Sequence, residues 1–388
     1  MPRMRRMAVI VGAALLLLLV AAVMPLRAGL IGWRDFLPYW SASHLMATGG
    51  DPYNLEALNQ LNAQVAPERG LVEPAWNPPW LVVTLVPLGM LPYEYASRVW
   101  LLINLALLAG IPFVIWGWLA APSVRRPPPW LVVVGLAFGA TLVQIAIGQI
   151  TVVILLGVVF CLAGLRSGHD GWAGAALVLS LSKPHLIYLV LPLILIWAAL
   201  QRRWWVWLGL AFAAGLGLAV ATLLAPNWLS GYLYALGGND FFMKLSATIG
   251  GFAKAAWGID TLRYLGFMTL FLLPWLLRLS NRRGLLTSVN AALLISVPLA
   301  PYGWSFDQIM LLPAITQIVF WISRTVDARQ RYVFTGCLIA IYGLMLAMKL
   351  LGLGDFVFVG VPLALGGLYA VLHRVQVWPV EEALKIQG

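Results

Sequence analysis

Charge is scarce in this chain. Asp, Glu, Lys and Arg make up only 10% of its 388 residues, and hydrophobic residues make up 62%. A soluble domain carries about 25% charged residues. The chain has too little polar surface to coat a water-soluble globule, so lipid is the expected solvent for most of it. Cysteine is nearly absent as well. Cys161 and Cys337 both lie inside apolar runs, far apart in sequence. This excludes a disulfide framework as the basis of the fold, and no metal-ligand spacing exists. No zinc triad, nucleotide-phosphate loop or Ser/His/Asp constellation can be assembled. No metal and no cofactor are therefore expected, and any group donor should be a membrane lipid rather than a nucleotide.

The charge that is present is mostly positive, with a formal net of +11. The basic residues do not form a patch suited to nucleic acid. They sit in short groups between apolar runs, as cytoplasmic membrane loops do. The expected partner is therefore the bilayer and not nucleic acid, with the protein a monomer.

Apolar runs recur from end to end. Spanning helices are expected at about 7–25, 95–120, 130–148, 150–166, 171–183, 184–200, 204–224, 257–278, 285–300, 307–323, 332–350 and 355–373. The fold class is thus an all-α polytopic membrane protein of about 12 transmembrane helices. The basic start, MPRMRRM, followed by the run from Ala8 to Met24, reads as a retained first helix entering from the cytoplasm. With that orientation Arg125-Arg126, Arg166, Arg202-Arg203, Arg278, Arg282-Arg283, Arg324, Arg329 and Arg331 all fall inside. About twice as many basic residues lie inside as outside, which is the positive-inside asymmetry. Both termini are then cytoplasmic, in a multi-pass protein of the cell membrane.

The stretch from Pro79 to Leu91 is too short to span. It reads as a re-entrant or interfacial segment within a large first outer loop, 26–94. A second long outer loop covers 225–257, and a short third one holds Pro301-Tyr302-Gly303-Trp304-Ser305-Phe306-Asp307. Long loops carry function more often than tight turns, so the working face should be extracytoplasmic. One domain, 1–373, followed by a cytoplasmic tail, 374–388, is the expected organisation. Trp33, Trp40, Trp76, Trp80, Trp204, Trp205, Trp228, Trp257 and Trp304 all fall near expected helix ends, where indole rings favour the interface.

The candidate chemistry lies in the outer segments. Phe36, Tyr39-Trp40, Ser43-His44 and Ala47 follow helical spacing, as in a short amphipathic helix on the membrane surface. Asp35 would stand at its N-cap. Two readings apply to Asp35: a helix cap, or a general base beside a membrane cavity. Gly49-Gly50-Asp51-Pro52-Tyr53 makes a tight turn, with Asp51 a turn residue or a substrate contact. Asn77, in Asn77-Pro78-Pro79, either caps the next segment or binds a hydroxyl. Gln144 and Gln149 are costly in lipid and should face protein or water, with helix–helix hydrogen bonding the bland role. Lys183, in Ser182-Lys183-Pro184-His185, is an ionisable group near membrane depth on the side poor in basic residues. A lysine there suits a phosphate, or it snorkels to outer headgroups. His185 and His44 could assist or be structural.

These motifs together resemble a known family. Asp35-Phe36 with Tyr39, Gly49-Gly50-Asp51-Pro52-Tyr53, Asn77-Pro78-Pro79, Pro87-Leu88, Leu91-Pro92, Gly148-Gln149-Ile150-Thr151 and Lys183-Pro184 resemble glycosyltransferase family 87. That family comprises polyprenyl-phosphate-mannose-dependent mannosyltransferases of the glycosyltransferase C superfamily. The resemblance implies a glycosyltransferase C-like fold whose large first outer loop carries short interfacial helices, with Asp35 as catalytic base. It implies a polyprenyl-phosphate sugar donor and a glycolipid or glycan acceptor, with Lys183 and Arg34 at the donor phosphate. Tyr39, His44, Asp51, Asn77, Gln149, His185, Tyr302 and Asp307 are then candidates for sugar or acceptor contacts. One departure stands out. Relatives often carry His shortly after Pro-x-x-Trp, whereas here Ser305-Phe306-Asp307-Gln308 follows Trp304. The competing expectation is a transporter or flippase for a lipid-linked sugar or other solute.

The topology has a direct check. With Cys161 and Cys337 replaced by Ala, a cysteine introduced at Glu56 should react with a membrane-impermeant maleimide in intact cells. A cysteine at Arg329 should react only after the cells are opened.

Overall fold

The computed structural model describes residues 35–65, 67, 76–120, 127–237 and 244–386. The expected first span, 7–25, and Arg34 lie outside the described residues. Among the described residues the regular structure is helical throughout. That is what an apolar medium requires, because a helix satisfies its own backbone N–H and C=O groups.

Among the described residues, six helices are long and apolar enough to cross a membrane: Tyr93–Leu119, Trp205–Leu224, Thr261–Arg283, Ser305–Arg324, Ala328–Leu350 and Asp355–Val375. The first has 27 residues, about 40 Å at 1.5 Å per residue, against a hydrocarbon core of about 30 Å. Other expected spans are shorter or broken. Thr151–Ser167, Val190–Leu200 and Leu285–Leu299 are apolar but fall below spanning length. The expected helix at 130–148 divides into Leu131–Leu136 and Gly139–Ile147, with Phe138 at the break buried against the Tyr342 ring, 5.2 Å away. The segment expected at 184–200 begins with a 3-10 turn, Pro184–Leu186, and becomes α-helical only at Val190. The last helix continues to Ile386, past its expected end at 373.

The chain forms two compact units. One comprises Met1–Leu107, Ile145–Ile150 and Gly215–Gly238; the other comprises Leu108–Gln144, Thr151–Ala214 and Asn239–Gly388.

In the first unit the helix Phe36–Ala47 packs along Pro79–Gly89. It is not the amphipathic surface helix expected from spacing. Phe36, Leu37, Trp40, Ala42 and Met46 are buried, and so are Ser41 and Ser43. The serines bond inward: Ser41 Oγ donates to Asn62 Oδ1 at 2.5 Å and Ser43 Oγ to the Tyr39 carbonyl at 2.8 Å. Small hydroxyls with internal partners leave no solvent-seeking face. The helix ends at Ala47, and the chain turns away at Gly49, whose φ of +80° suits a residue without Cβ, with Gly50 N–H returning to the Leu45 carbonyl at 2.7 Å. Pro79–Gly89 has 11 residues, about 16 Å, so it stays short of a span as its sequence required. Pro79 opens it, where a missing N–H costs nothing. Ala42, Met46, Tyr53, Leu58, Val82, Ala221 and Ala225 form the apolar core of this unit.

In the second unit Thr151–Ser167 and Asp170–Ser180 make a tight helical pair. A Cβ on Gly157 would lie 2.3 Å from Ser180 Oγ, and that hydroxyl donates to the Ile154 carbonyl at 2.9 Å. Small residues bring the backbones close enough for such bonds. Ser305–Arg324 is the most enclosed of the spanning helices, with 83% of its apolar window buried, against 11% for Trp205–Leu224. The former is core, and the latter leaves its apolar sides to lipid.

The helices Phe36–Ala47 and Pro79–Gly89 approach tightly at Gly89, where an added Cβ would lie 2.5 Å from the Ser43 carbonyl carbon. Gly89→Ala should destabilise the protein by about 1–3 kcal/mol. A lowered thermal midpoint in detergent measures it. Gly110→Ala, inside the helix Tyr93–Leu119 where a Cβ would meet open space, should not lower the midpoint and should raise it slightly.

Candidate active site

Asp35 immediately precedes the helix Phe36–Ala47, with φ −92° and ψ −19°, and makes no side-chain cap hydrogen bond to it. Its carboxylate points elsewhere: Gln149 Nε2 donates to Asp35 Oδ2 at 2.8 Å. Gln149 Oε1 accepts from the Tyr39 hydroxyl at 2.5 Å and from the Ile150 N–H at 2.8 Å. Asp35 and Tyr39 stand four residues apart in near-helical backbone and so share a face. The backbone is tied to the same segment, since Asp35 N–H donates to the Ile147 carbonyl at 2.9 Å. Trp100 Nε1 donates to the Gly148 carbonyl, also at 2.9 Å. Gly148 has φ +70°, a conformation that glycine adopts at little cost. All of these groups belong to the first unit.

A second polar cluster lies in the other unit. Lys183 precedes the Pro184–Leu186 turn. Its ammonium donates to Asp307 Oδ1 at 2.7 Å and to Thr151 Oγ1 at 2.8 Å. The Thr151 hydroxyl donates in turn to Asp307 Oδ1 at 2.7 Å, and Asp307 Oδ2 accepts the Trp304 N–H at 3.0 Å. Lys183 Nζ also sits 5.0 Å from the centre of the Phe306 ring, within cation–π range. Lys183 is 8% exposed and Asp307 1%. An ion pair this buried persists because its remaining donors and acceptors are satisfied. The His185 ring lies 3.9 Å from that of Tyr302, which stands edge-on to Trp304 at 5.9 Å. Neither imidazole nitrogen hydrogen-bonds to a described residue.

The sequence profile of Glycosyltransferase family 87 matches residues 76–301. The chain belongs to this family. No curated protein matches the sequence. Among solved structures, the chain is similar to ArnT from Cupriavidus metallidurans bound to undecaprenyl phosphate. The identity is 15% and the TM-score 0.40, over 94% of this chain and 76% of that one. The family 87 match takes in Asn77, Gln149, Lys183 and His185. Asp35 and Tyr39 lie before it, and Tyr302 and Asp307 beyond it.

Of the residues singled out in the sequence, the structure brings Asp35, Tyr39 and Gln149 together, and separately Lys183 with Asp307 and His185 with Tyr302. The others occupy different positions. His44 Nδ1 lies 2.8 Å from the Gly89 carbonyl, within the packing of two helices. Asp51 Oδ1 accepts the Tyr53 N–H at 2.9 Å, as a turn residue does. Asn77 does not cap Pro79–Gly89, whose N-cap is Pro78, and its carbonyl accepts the Tyr53 hydroxyl at 2.8 Å. The sequence reading passed over two groups that hold the second cluster. Thr151 was visible in the Gly148-Gln149-Ile150-Thr151 motif but not assigned a role. Asp355 accepts Ser305 N–H at 2.9 Å, Ser305 Oγ at 3.0 Å and Lys349 Nζ at 3.1 Å. Nothing local in the sequence signals that contact.

Asp307→Ala leaves a buried ammonium without its counter-charge and should cost about 3–5 kcal/mol. The double variant Lys183→Met/Asp307→Leu should regain most of that loss. Thermal midpoints of the purified proteins in detergent check both.

Proposed function

We propose that this family 87 chain is a hexosyltransferase of the EC 2.4.1 type. It moves a sugar, mannose by the family resemblance, from a polyprenyl-phosphate donor to a hydroxyl of an extracytoplasmic glycolipid or glycan. Asp35 serves as general base. The observation that carries this reading is the orientation of the Asp35 carboxylate. It turns away from the helix it could cap and is held by a side-chain amide. A capping role does not account for that geometry, whereas a carboxylate held to receive a proton does.

The chemistry balances without a metal or cofactor. Asp35 accepts the proton of the acceptor hydroxyl as its oxygen attacks the anomeric carbon. The new carbon–oxygen bond forms on the face opposite the departing phosphate, which inverts the centre. The glycosidic bond to phosphate breaks, and the lipid phosphate leaves with the bonding electron pair. Lys183 and Arg34 are the proposed cations for that charge. Asp307 already offsets part of the Lys183 charge. The donor brings its own leaving group, which agrees with a sequence that has no nucleotide-phosphate loop. Family membership weighs against a transporter or flippase.

Asp35→Asn keeps the size of the side chain and removes its basicity. Transfer from polyprenyl-phosphate mannose to a membrane-lipid extract should fall by about 10²–10⁴-fold, with expression and thermal midpoint unchanged. Products are read by mass spectrometry. Wild-type turnover by this variant would remove Asp35 from the mechanism.

A further inference from the structure

We infer that Gln149 is a positioning residue for Asp35, and that Tyr39 locks it in that role. Neither is then a sugar contact. The inference rests on the reading of Asp35 as the base, and it concerns what aims that carboxylate.

The hydrogen bonds determine which end of the carboxamide is which. A backbone N–H can only donate, so the atom 2.8 Å from Ile150 N is the amide oxygen. The Tyr39 hydroxyl reaches the same oxygen at 2.5 Å. With the oxygen held by two donors, the amide nitrogen is directed at Asp35 Oδ2, 2.8 Å away. The reverse orientation would set N–H against N–H and carbonyl against carboxylate. Gln149 is only 5% exposed, so water has little access to compete with these bonds. The segment that carries Gln149 is tied down by Asp35 N–H on Ile147 and by Trp100 on Gly148. Asp35 is thus held through its backbone and its side chain by one short stretch, Ile147 to Gln149.

This arrangement should do two things. A donor to the ionised carboxylate favours that form and keeps the base unprotonated at lower pH. A fixed carboxylate also meets the acceptor hydroxyl in a constant geometry, and small misplacements of reacting groups are costly in rate.

The test is a pH–rate profile of the purified full chain, with polyprenyl-phosphate mannose and a membrane-lipid extract as substrates. Gln149→Met, Gln149→Glu and Tyr39→Phe are compared with Asp35→Asn. Gln149→Met should lower kcat by about 10–100-fold, with the KM for donor changed less than about twofold. The acid limb of kcat/KM should move to higher pH, and further still in Gln149→Glu, where a second carboxylate adds like charge. Tyr39→Phe leaves the Ile150 tether and should give a smaller fall with a shift in the same direction. A raised donor KM with unchanged kcat and acid limb would instead make Gln149 a sugar contact and overturn the inference. An inactive Asp35→Asn beside a fully active Gln149→Met would overturn it while leaving the base reading intact. Wild-type turnover by Asp35→Asn would overturn both. Should Gln149→Met fail to fold, Tyr39→Phe decides: an unchanged kcat and acid limb rejects the inference.

Discussion

A polar side chain buried in an apolar body needs a partner within the protein, and this chain has few polar side chains to offer. Leaving such a group unpaired costs about 1–3 kcal/mol, and more for a charge. Several internal polar groups are accordingly drawn into small hydrogen-bonded sets. Asp35, Gln149 and Tyr39 form one, and Lys183, Asp307 and Thr151 another. A third links helices of the second unit: Gln317 Oε1 accepts from Asn290 at 2.7 Å and from Tyr369 at 2.7 Å, and Gln317 Nε2 donates to Thr287 at 3.0 Å. Each set ties segments that are distant in the chain, and packing forces alone would set their relative positions less sharply.

The two ionic sets differ in chemical character. In the second, an ammonium and a carboxylate cancel, a hydroxyl bridges them, and a backbone N–H fills the remaining oxygen. Such a cluster is well suited to holding the 301–307 segment in place. In the first, a neutral amide directs the carboxylate, with Gln149 Nε2 donating to Asp35 Oδ2 at 2.8 Å.

Much of the architecture was legible beforehand. Composition alone required lipid as solvent. The length of the Pro79–Leu91 stretch forbade a span, and the helix there has 11 residues. The resemblance to family 87 agrees with the profile match over residues 76–301. Less legible were the helix breaks near Phe138 and Pro184, because an apolar run has the same composition whether it continues or turns. The helix Phe36–Ala47 departs from its periodicity for a related reason. Serines count as polar in a periodicity, yet Ser41 and Ser43 find their partners inside the protein.

The sequence by itself determined the solvent and the family, because these depend on composition and on short ordered motifs. It could not reveal that Asp35 meets Gln149 across 114 positions or that Lys183 meets Asp307 across 124. Those pairings depend on which helix faces come together, and a one-dimensional pattern of apolar residues is nearly the same for many such arrangements. Tertiary packing decided them, since only in the folded chain do these donors and acceptors come within reach of one another.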